Sequence, residues 1–480
     1  MSPSAGKRRS RQQKREEQRA RKSKVIKAAS LCLLCGIAIY GVFIFAMPHP
    51  AAMPDTLEPD THAAAAEAPD TEATTEYALV LSENTAAPAL LRADFSPWSA
   101  ASMPLKSYVP RVSSAPTPAP SPTPRTLRSA TIRTLGDFVI HEPVIRAAKV
   151  EGNGTHDFSP MLEMIKHVIS GADYTVANVD GSMSGPGERG YQGYPRFNTP
   201  PVLMQVLAEC GVDMLTLANN HALDEYFDGL KATIENCEKY GLDFVGGART
   251  QEERDTPVIK QIAGISVGFL NYTFGTNGME RFCNKNVTKY GINYIRGAYF
   301  KRDANALRDA GAEVIVAYMH WGEEYNRKAN ASQKANAKKL AEAGVDVIVG
   351  GHPHVVQSPI EWIKAKQEDG TTKQTLCVYS IGNFLSNQPQ RYRDGGIVFE
   401  FTIQEVREGT FEIRSPKYIP TYYWRRGNEK KGLTIRVVAC GEWMEERPEG
   451  MNDDSYARLK QIWGETHKLL GDSVAEISIN

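Results

Sequence analysis

Residues 345–354, VDVIVGGHPH, have the pattern of a buried strand that runs directly into a functional loop. The first five residues are mostly β-branched and apolar, which is typical of a strand covered on both faces of a sheet. After two glycines, His352 and His354 stand on either side of a proline. A turn alone would explain the glycines and the proline, but two imidazoles held together at a strand end favour a metal or catalytic site.

Similar apolar strand segments recur through residues 130–405, where they alternate with segments that have the pattern of helices. Strands are predicted at 131–137, 174–178, 214–219, 242–247, 265–273, 313–320, 345–351, 376–383 and 395–403. Helices are predicted at 159–171, 200–211, 229–240, 302–310, 329–343 and 454–470. This alternation predicts an α/β fold with a largely covered sheet, in which functional groups gather beyond the carboxyl ends of the strands.

Polar residues concentrate at these predicted strand ends. They are carboxylates, amides and imidazoles: Asp137, Asn178, Asp180, Asn219, Asn220, His221, Asp224, His320, His352, His354 and Asn383. Each one alone has an ordinary explanation, such as a cap, a left-handed loop residue or a packed histidine. Together they predict a metal site at one sheet edge, because oxygen and imidazole ligands suit divalent ions and a set of this size could hold two.

Four segments with these residues resemble blocks of the CapA family of poly-γ-glutamate capsule synthesis proteins. The segments are LTLANNHALDEYFDGLKATIENCEKYGLDFVGG, AYMHWGEEY, VDVIVGGHPHVVQSPIE and YSIGNFLSNQ. The resemblance covers roughly residues 130–405 and implies a four-layer α/β/β/α sandwich similar to that of calcineurin-like metallophosphatases. It also implies a metal-dependent, hydrolase-type site.

The resemblance assigns roles to individual residues. It implies that Mn, Fe or Zn, as one or two ions, is bound by a set of six ligands: Asp137, Asp180, Asn220, His320, His352 and His354. His221 is similar to the catalytic acid that protonates the leaving group, and Asp224 is the second catalytic candidate. The chain departs from the pattern at two positions. His141 lies four residues after Asp137, where the phosphatases have a histidine two residues on, and Asp180 stands where the family usually has glutamate.

The N-terminal part has a different composition. Residues 1–27 carry eleven Lys or Arg and two Glu, whereas the rest carries 45 basic and 54 acidic residues. Residues 28–47 are uncharged and long enough to cross a bilayer, and the basic flank predicts a cytoplasmic N-terminus. We therefore expect a single-pass cell-membrane protein with an extracytoplasmic main domain. A cleaved signal peptide is the alternative.

The predicted organisation has four parts: a basic tail at 1–27, a transmembrane signal-anchor helix at 28–47, a disordered stalk at 48–128 and the CapA-like domain at 129–480. The stalk is rich in Ala, Pro and Thr and cannot bury enough apolar surface to fold. The seven cysteines do not form the pattern of a disulfide framework. Residues 419–424, IPTYYW, and Arg391 are predicted either to line a substrate region or to be core and surface.

Three functions fit these observations. The first is an envelope hydrolase or transferase acting on an anionic polymer such as poly-γ-glutamate, or on a phosphoester. The second is a non-catalytic component that binds the polymer or the partners of a capsule synthesis complex. The third is a general extracytoplasmic metallophosphoesterase without a capsule role. No P-loop, G-x-S-x-G motif or nucleic-acid module is present in the sequence, and the basic tail is better explained by contact with the membrane.

Overall fold

The computed structural model describes residues 126–285, 287–428, 432–471 and 474–477. The predicted tail, the predicted membrane helix and residues 48–125 of the predicted stalk lie outside the described residues. Within them, no helix has the length and hydrophobicity needed to cross a bilayer. The helices in this part of the chain are α1 (Glu142–Ala148), α2 (Ser159–Leu162), α3 (Lys166–Ile169), α4 (Val202–Glu209), α5 (Tyr226–Lys239), α6 (Gln251–Asp255), α7 (Val287–Tyr290), α8 (Gly297–Asp309), α9 (Ala331–Glu342) and α10 (Asp453–Leu470).

The strands form two sheets. In chain order they are β1 (Ser129–Phe138), β2 (Tyr174–Val179), β3 (Met214–Thr216), β4 (Asp243–Val245), β5 (Ile259–Ile262), β6 (Ile265–Thr273), β7 (Val314–His320), β8 (Val347–Gly351), β9 (Ile360–Lys366), β10 (Thr372–Val378), β11 (Asn383–Leu385), β12 (Gly395–Arg407), β13 (Thr410–Asn428), β14 (Gly432–Ala439) and β15 (Ala475–Glu476). The first sheet has the order β14-β13-β12-β1-β2-β3-β4, with β11 paired to β1 and β15 to β13. The second has the order β5-β6-β7-β8-β10-β9.

The buried side chains show that the two sheets face each other. One core cluster joins Ile132 and Val176 of the first sheet to Val316 and Val349 of the second. Successive side chains of a strand point to opposite faces, so the neighbouring residue Ile315 lies in another cluster, with the helices α8 and α9. A third cluster packs α1 to α5 on the outer face of the first sheet. The arrangement is therefore the expected helix–sheet–sheet–helix sandwich.

Most strands predicted between 131 and 351 are confirmed, with shifts of a few residues at their ends. The single strand predicted at 376–383 is wrong. The chain leaves the second sheet at Val378 and enters the first at Asn383. Gly382 makes this crossing with a φ of 72°, and its Cβ would meet backbone atoms of Gly396 and Val356 about 3.1 Å away. The crossing places Asn383 beside Asp137 in the register of β1 and β11.

The structure decides between the open alternatives in the C-terminal part. Residues 419–424 belong to β13, and Tyr422, Tyr423 and Trp424 are buried, so they are core residues. Arg391 is mostly exposed and forms an ion pair with Glu465 of α10.

The five cysteines in the described part of the chain are free.

Candidate functional site

The predicted site residues lie together at the carboxyl ends of strands from both sheets. Asp137 is the last residue but one of β1, and Asp180 and Asn220 follow β2 and β3 of the first sheet. His320 ends β7, and His352 follows β8 of the second. The expectation of a single sheet edge was therefore wrong. An apolar run reports that a strand is buried, but it does not report which sheet the strand joins.

Asp137 connects the two sheets at the base of the site. One carboxylate oxygen accepts a hydrogen bond from Asn178 Nδ2 at 2.8 Å, and the other accepts one from the backbone N–H of His352 at 3.0 Å. His354 Nδ1 lies 3.3 Å from the second oxygen and 3.1 Å from Asn383 Oδ1. Burial alone would lower the pKa of His354, but the hydrogen bond to Asp137 and the charges of Asp137 and Asp180 raise it.

Asp180 lies at the centre of the site. Its side chain is only 1% exposed, and neither carboxylate oxygen has a hydrogen-bond partner among the described residues. Oδ1 lies 3.7 Å from His320 Nε2, and Oδ2 lies 3.9 Å from His354 Nε2. Burial raises the pKa of Asp180 to about 6, against the opposing charges of His221 and His354. A buried carboxylate without hydrogen bonds is costly unless a cation compensates it.

Asn220 and two histidines lie on the Oδ1 side of Asp180. His320 Nε2 is 2.7 Å from Asn220 Oδ1, and the rings of His320 and His352 are 4.9 Å apart. Burial, together with the neighbouring histidines, lowers the pKa of His320 well below its ordinary value and that of His352 to about 3. Both imidazoles are therefore neutral near pH 7, which is the form that binds metals. Nδ1 of His352 is buried and has no hydrogen-bond partner within the described part of the chain.

The backbone of the GGHPH segment is constrained. His352 and His354 have φ values of 91° and 57°, in the left-handed region that residues with side chains rarely occupy. Such conformations cost about 1–3 kcal/mol each and cluster at functional sites. The fold maintains them partly through Tyr325, whose backbone N–H donates to the Pro353 carbonyl at 2.8 Å.

His221 forms a pair with Asp224 beside these residues. His221 Nδ1 lies 2.7 Å from Asp224 Oδ2, and both side chains are largely buried. The same Asp224 oxygen accepts a hydrogen bond from the backbone of Phe197 at 2.6 Å, and the Phe197 ring packs edge-on against His221. Burial alone would lower the pKa of His221, but the hydrogen bond to Asp224 and the charge of Asp180 raise it. The aspartate therefore orients the imidazole and favours its protonated form.

His141, whose role the sequence left open, lies next to the cluster. Its Nδ1 is 2.9 Å from the carbonyl oxygen of Val139, and its ring packs edge-on against Phe197. Burial lowers the pKa of His141 to about 4. These contacts fit a neutral histidine that supports the site from the side of β1.

Two residues that the sequence reasoning did not single out also belong here. Asn277 Oδ1 accepts from Asn220 Nδ2 at 3.3 Å, and Asn277 Nδ2 lies 3.4 Å from His221 Nε2. Glu324 offers a carboxylate oxygen that lies, with one nitrogen each of His352 and His354, in a group of atoms within 4.8 Å of one another. Glu324 lies in AYMHWGEEY, one of the four segments that resemble the family, but neither residue ends a strand.

The donor set fits a divalent ion. It combines carboxylate oxygens, an amide oxygen and imidazoles, which Zn, Mn and Fe accept, around a buried carboxylate that has no hydrogen-bond partner among the described residues. The His221–Asp224 pair adds a group that can hold and release a proton. The residues present thus fit metal-assisted acid–base chemistry, and the six predicted ligands are brought together.

Residues 131–388, which include every site residue named above, match the family described as bacterial capsule synthesis protein PGA_cap. One relative is the PGA biosynthesis protein CapA of Bacillus subtilis (strain 168), 25% identical over 284 residues that cover 58% of this chain and 69% of that protein. Another is the capsule biosynthesis protein CapA of Bacillus anthracis, 28% identical over 244 residues that cover 49% of this chain and 56% of that protein.

Solved structures with some likeness include the NAD nucleotidase NadN of Haemophilus influenzae, with 12% identity, a TM-score of 0.40 and coverage of 74% of this chain and 65% of that one. The calcineurin-like phosphoesterase YfkN of Bacillus subtilis has 17% identity and a TM-score of 0.38, and the match covers 72% of this chain and 99% of that one. Likenesses this weak support no conclusion about this chain. The family match spans more than half of the sequence, and on that ground the chain belongs to the bacterial capsule synthesis protein family PGA_cap.

Proposed function

We propose that this chain is a divalent-metal-dependent hydrolase that acts in the synthesis or export of an anionic capsule polymer. The observation that carries the proposal is Asp180, a buried carboxylate without hydrogen bonds to the described residues, which lies beside amide and imidazole groups. Burying this carboxylate beside the neutral His320 is costly for a fold that only binds a polymer, and a bound cation would offset the cost.

The residues of the site would divide the chemistry between them. Asp137, Asp180, Asn220, His320, His352 and His354 would hold one or two ions. A divalent ion supplies Lewis acidity, because it makes water a stronger acid and offsets negative charge that develops in the transition state. His221 would donate a proton to the leaving group, and Asp224 would hold Nδ1 so that Nε2 remains the donating atom.

Cationic side chains beside the site support an anionic substrate. Arg189 and Arg196 both donate to the backbone carbonyl of Asp224, the residue that pairs with His221, and Arg189 also pairs with Glu225. On another side, the guanidinium of Arg393 stacks 3.2 Å from the ring centroid of Tyr325, whose ring lies 6.2 Å from that of His354. Arginines of this kind attract carboxylates and phosphates. Poly-γ-glutamate, the substrate class that the relatives' names suggest, carries one carboxylate per residue.

We place this activity outside the cytoplasm. The support is the uncharged segment at 28–47 with its basic N-terminal flank, which would anchor the chain in the membrane as a single span. One relative's name refers to PGA biosynthesis and the other's to capsule biosynthesis, and association with a capsule synthesis complex at the membrane is part of the same proposal.

The first test is the metal content of the full-length chain purified without chelator. We expect one or two equivalents of Mn, Fe or Zn in the wild type and almost none in the His352→Ala/His354→Ala double variant. His467 of α10 provides a matched control, because it also pairs with a carboxylate but lies in a helix outside the site. His467→Ala should keep the metal. A wild type that stays metal-free after incubation with these ions would contradict the proposal.

Activity is tested with two probes, poly-γ-glutamate and a chromogenic phosphodiester. We expect cleavage of at least one of them, lost with EDTA and restored by the metal. Cleavage of the phosphodiester alone would favour a general phosphoesterase. Polymer binding that survives loss of the ligand residues, without any cleavage, would favour the non-catalytic alternative.

Gly351 gives a further prediction about the geometry of the site. A Cβ at this position would lie 2.6 Å from Asp137 Oδ1, so Gly351→Ala should push the carboxylate away from its hydrogen bonds to Asn178 and His352. Disturbing the partners of a ligand typically lowers metal affinity about 10- to 100-fold, and we expect that loss in a calorimetric titration with Mn²⁺. Gly464→Ala is the matched control, because a Cβ there meets no atom within 4 Å. Equal affinities in the two variants would contradict the prediction.

A further inference from the structure

We propose that Glu324 is a direct ligand of the metal centre and closes it on the solvent side of His352 and His354. The inference rests on the proposed metal site and adds a ligand that lies outside the strand-end pattern. Its starting observation is that one oxygen of Glu324 and one nitrogen of each histidine lie within 4.8 Å of one another. The two histidines are buried and Glu324 is exposed, so the carboxylate approaches from the open side.

The donors around Asp180 divide into two unequal sets. Oδ1 of Asp180 faces His320, which contacts Asn220, with His352 beside it. Oδ2 faces His354, which also contacts Asp137. This second set thus offers three protein groups, and the Glu324 carboxylate would be a fourth donor, the number that surrounds a tetrahedral ion of this class. Val139, two residues beyond Asp137, is a buried apolar side chain and supplies none.

The backbone holds Glu324 in position to supply the missing donor. The next residue, Tyr325, donates its N–H to the carbonyl of Pro353, between the two histidines. Earlier in the same loop, the N–H of Trp321 donates to the Gly351 carbonyl at 3.2 Å, and its indole Nε1 donates to the Tyr379 carbonyl at 2.9 Å. The loop after β7 is therefore attached to the GGHPH segment at two points. Glu324 lies between them.

The unpartnered Nδ1 of His352 supports the same conclusion. This atom is buried and has no hydrogen-bond partner among the described residues, although buried polar atoms of proteins are nearly always satisfied. A bound cation would account for this atom, because His352 lies between the two sets: its ring is 4.9 Å from that of His320, and one of its nitrogens lies within 4.8 Å of a Glu324 oxygen. Glu324 also has a competing role, because its side chain hydrogen-bonds to Tyr325, and burial together with that bond raises the pKa of the tyrosine to about 12.

The test compares metal binding by the metal-free full-length wild type and three variants. In calorimetric titration with Mn²⁺, we expect Glu324→Gln to lose one bound ion or to bind at least about tenfold more weakly. With Co²⁺ as a second probe, the visible absorption spectrum of the Co²⁺-loaded Glu324→Gln variant should differ from that of the wild type, because the ligand set changes. Glu323→Gln, the exposed neighbour with the same charge, and Tyr325→Phe should both match the wild type.

The outcomes separate this inference from the proposed function. A wild type that binds no ion overturns both. A wild type that binds metal with unchanged affinity and spectrum in Glu324→Gln overturns the ligand assignment and leaves the metal site intact. A loss in Glu323→Gln equal to that in Glu324→Gln would point to net charge alone, and an equal loss in Tyr325→Phe would point to action through the tyrosine. Either result would overturn direct ligation.

Discussion

Asp180→Asn is expected to abolish metal binding and, at the same time, to make the metal-free protein more stable. The pKa of Asp180 is about 6 in the fold, against an ordinary value of 3.8, so above pH 6 the fold holds a charge that it disfavours. One pKa unit corresponds to about 1.4 kcal/mol, and the asparagine should therefore raise the free energy of unfolding by up to about 3 kcal/mol at pH 7 in the presence of EDTA.

The sign of the pH dependence follows from the raised pKa. Protonated Asp180 contributes stability that is fully present below pH 3.8 and is lost as the pH rises through about 6. The advantage of Asp180→Asn over the wild type should thus grow between pH 4 and pH 6 and stay constant above. Denaturant unfolding of both metal-free proteins across this range measures it.

Asp303→Asn provides the matched control for this experiment. Asp303 is also buried, but it accepts hydrogen bonds from Arg254 at 2.7 Å and from Tyr272 at 2.6 Å. Replacing it leaves a buried arginine without its counter-charge, so this variant should be less stable than the wild type. If Asp180→Asn were destabilised like Asp303→Asn in the metal-free state, the charge of Asp180 would be compensated by the protein itself. The main support for the metal site would then be lost.

The second large effect concerns His221 and Asp224. His221→Ala should reduce the rate of hydrolysis about 10²- to 10⁴-fold, the range that general acid catalysis contributes, while metal content stays at the wild-type level. Asp224→Asn should retain part of the activity. Because the hydrogen bond to Asp224 raises the pKa of His221, this variant should shift the alkaline limb of the pH–rate profile to lower pH.

The measurement is the pH–rate profile of each variant on the cleaved probe, together with its metal content. His467→Ala again serves as control and should leave rate and profile unchanged. If His221→Ala lost the metal, His221 would be a ligand. An unshifted alkaline limb in Asp224→Asn would show that the aspartate does not act through the imidazole.

The sequence by itself was sufficient to locate the strands that carry the predicted ligands, β1, β2, β3, β7 and β8, and the polar residues near their carboxyl ends. Burial on both faces requires an uninterrupted apolar run, as in β7 and β8, and the chain must then leave the sheet through polar or glycine-rich residues. An apolar run and the polar residues that follow it are adjacent in the sequence, so both can be recognised without knowing which strands lie beside the strand in the sheet. For the same reason, the set of polar residues at the strand ends could be listed from one sequence, whereas the choice of six ligands from that set and the assignment of His221 as the acid came from the resemblance to the CapA family.

Only the tertiary structure decided what these residues meet. The division of the ligands between two sheets, the crossing at Gly382 and the two-point attachment of the Glu324 loop all depend on contacts between distant parts of the chain. That Asp180 accepts no side-chain hydrogen bond from the described residues is likewise a property of its surroundings. Local patterns report whether a residue is buried. Which groups then compensate its charge depends on how the two sheets pack, and packing is determined by the whole chain.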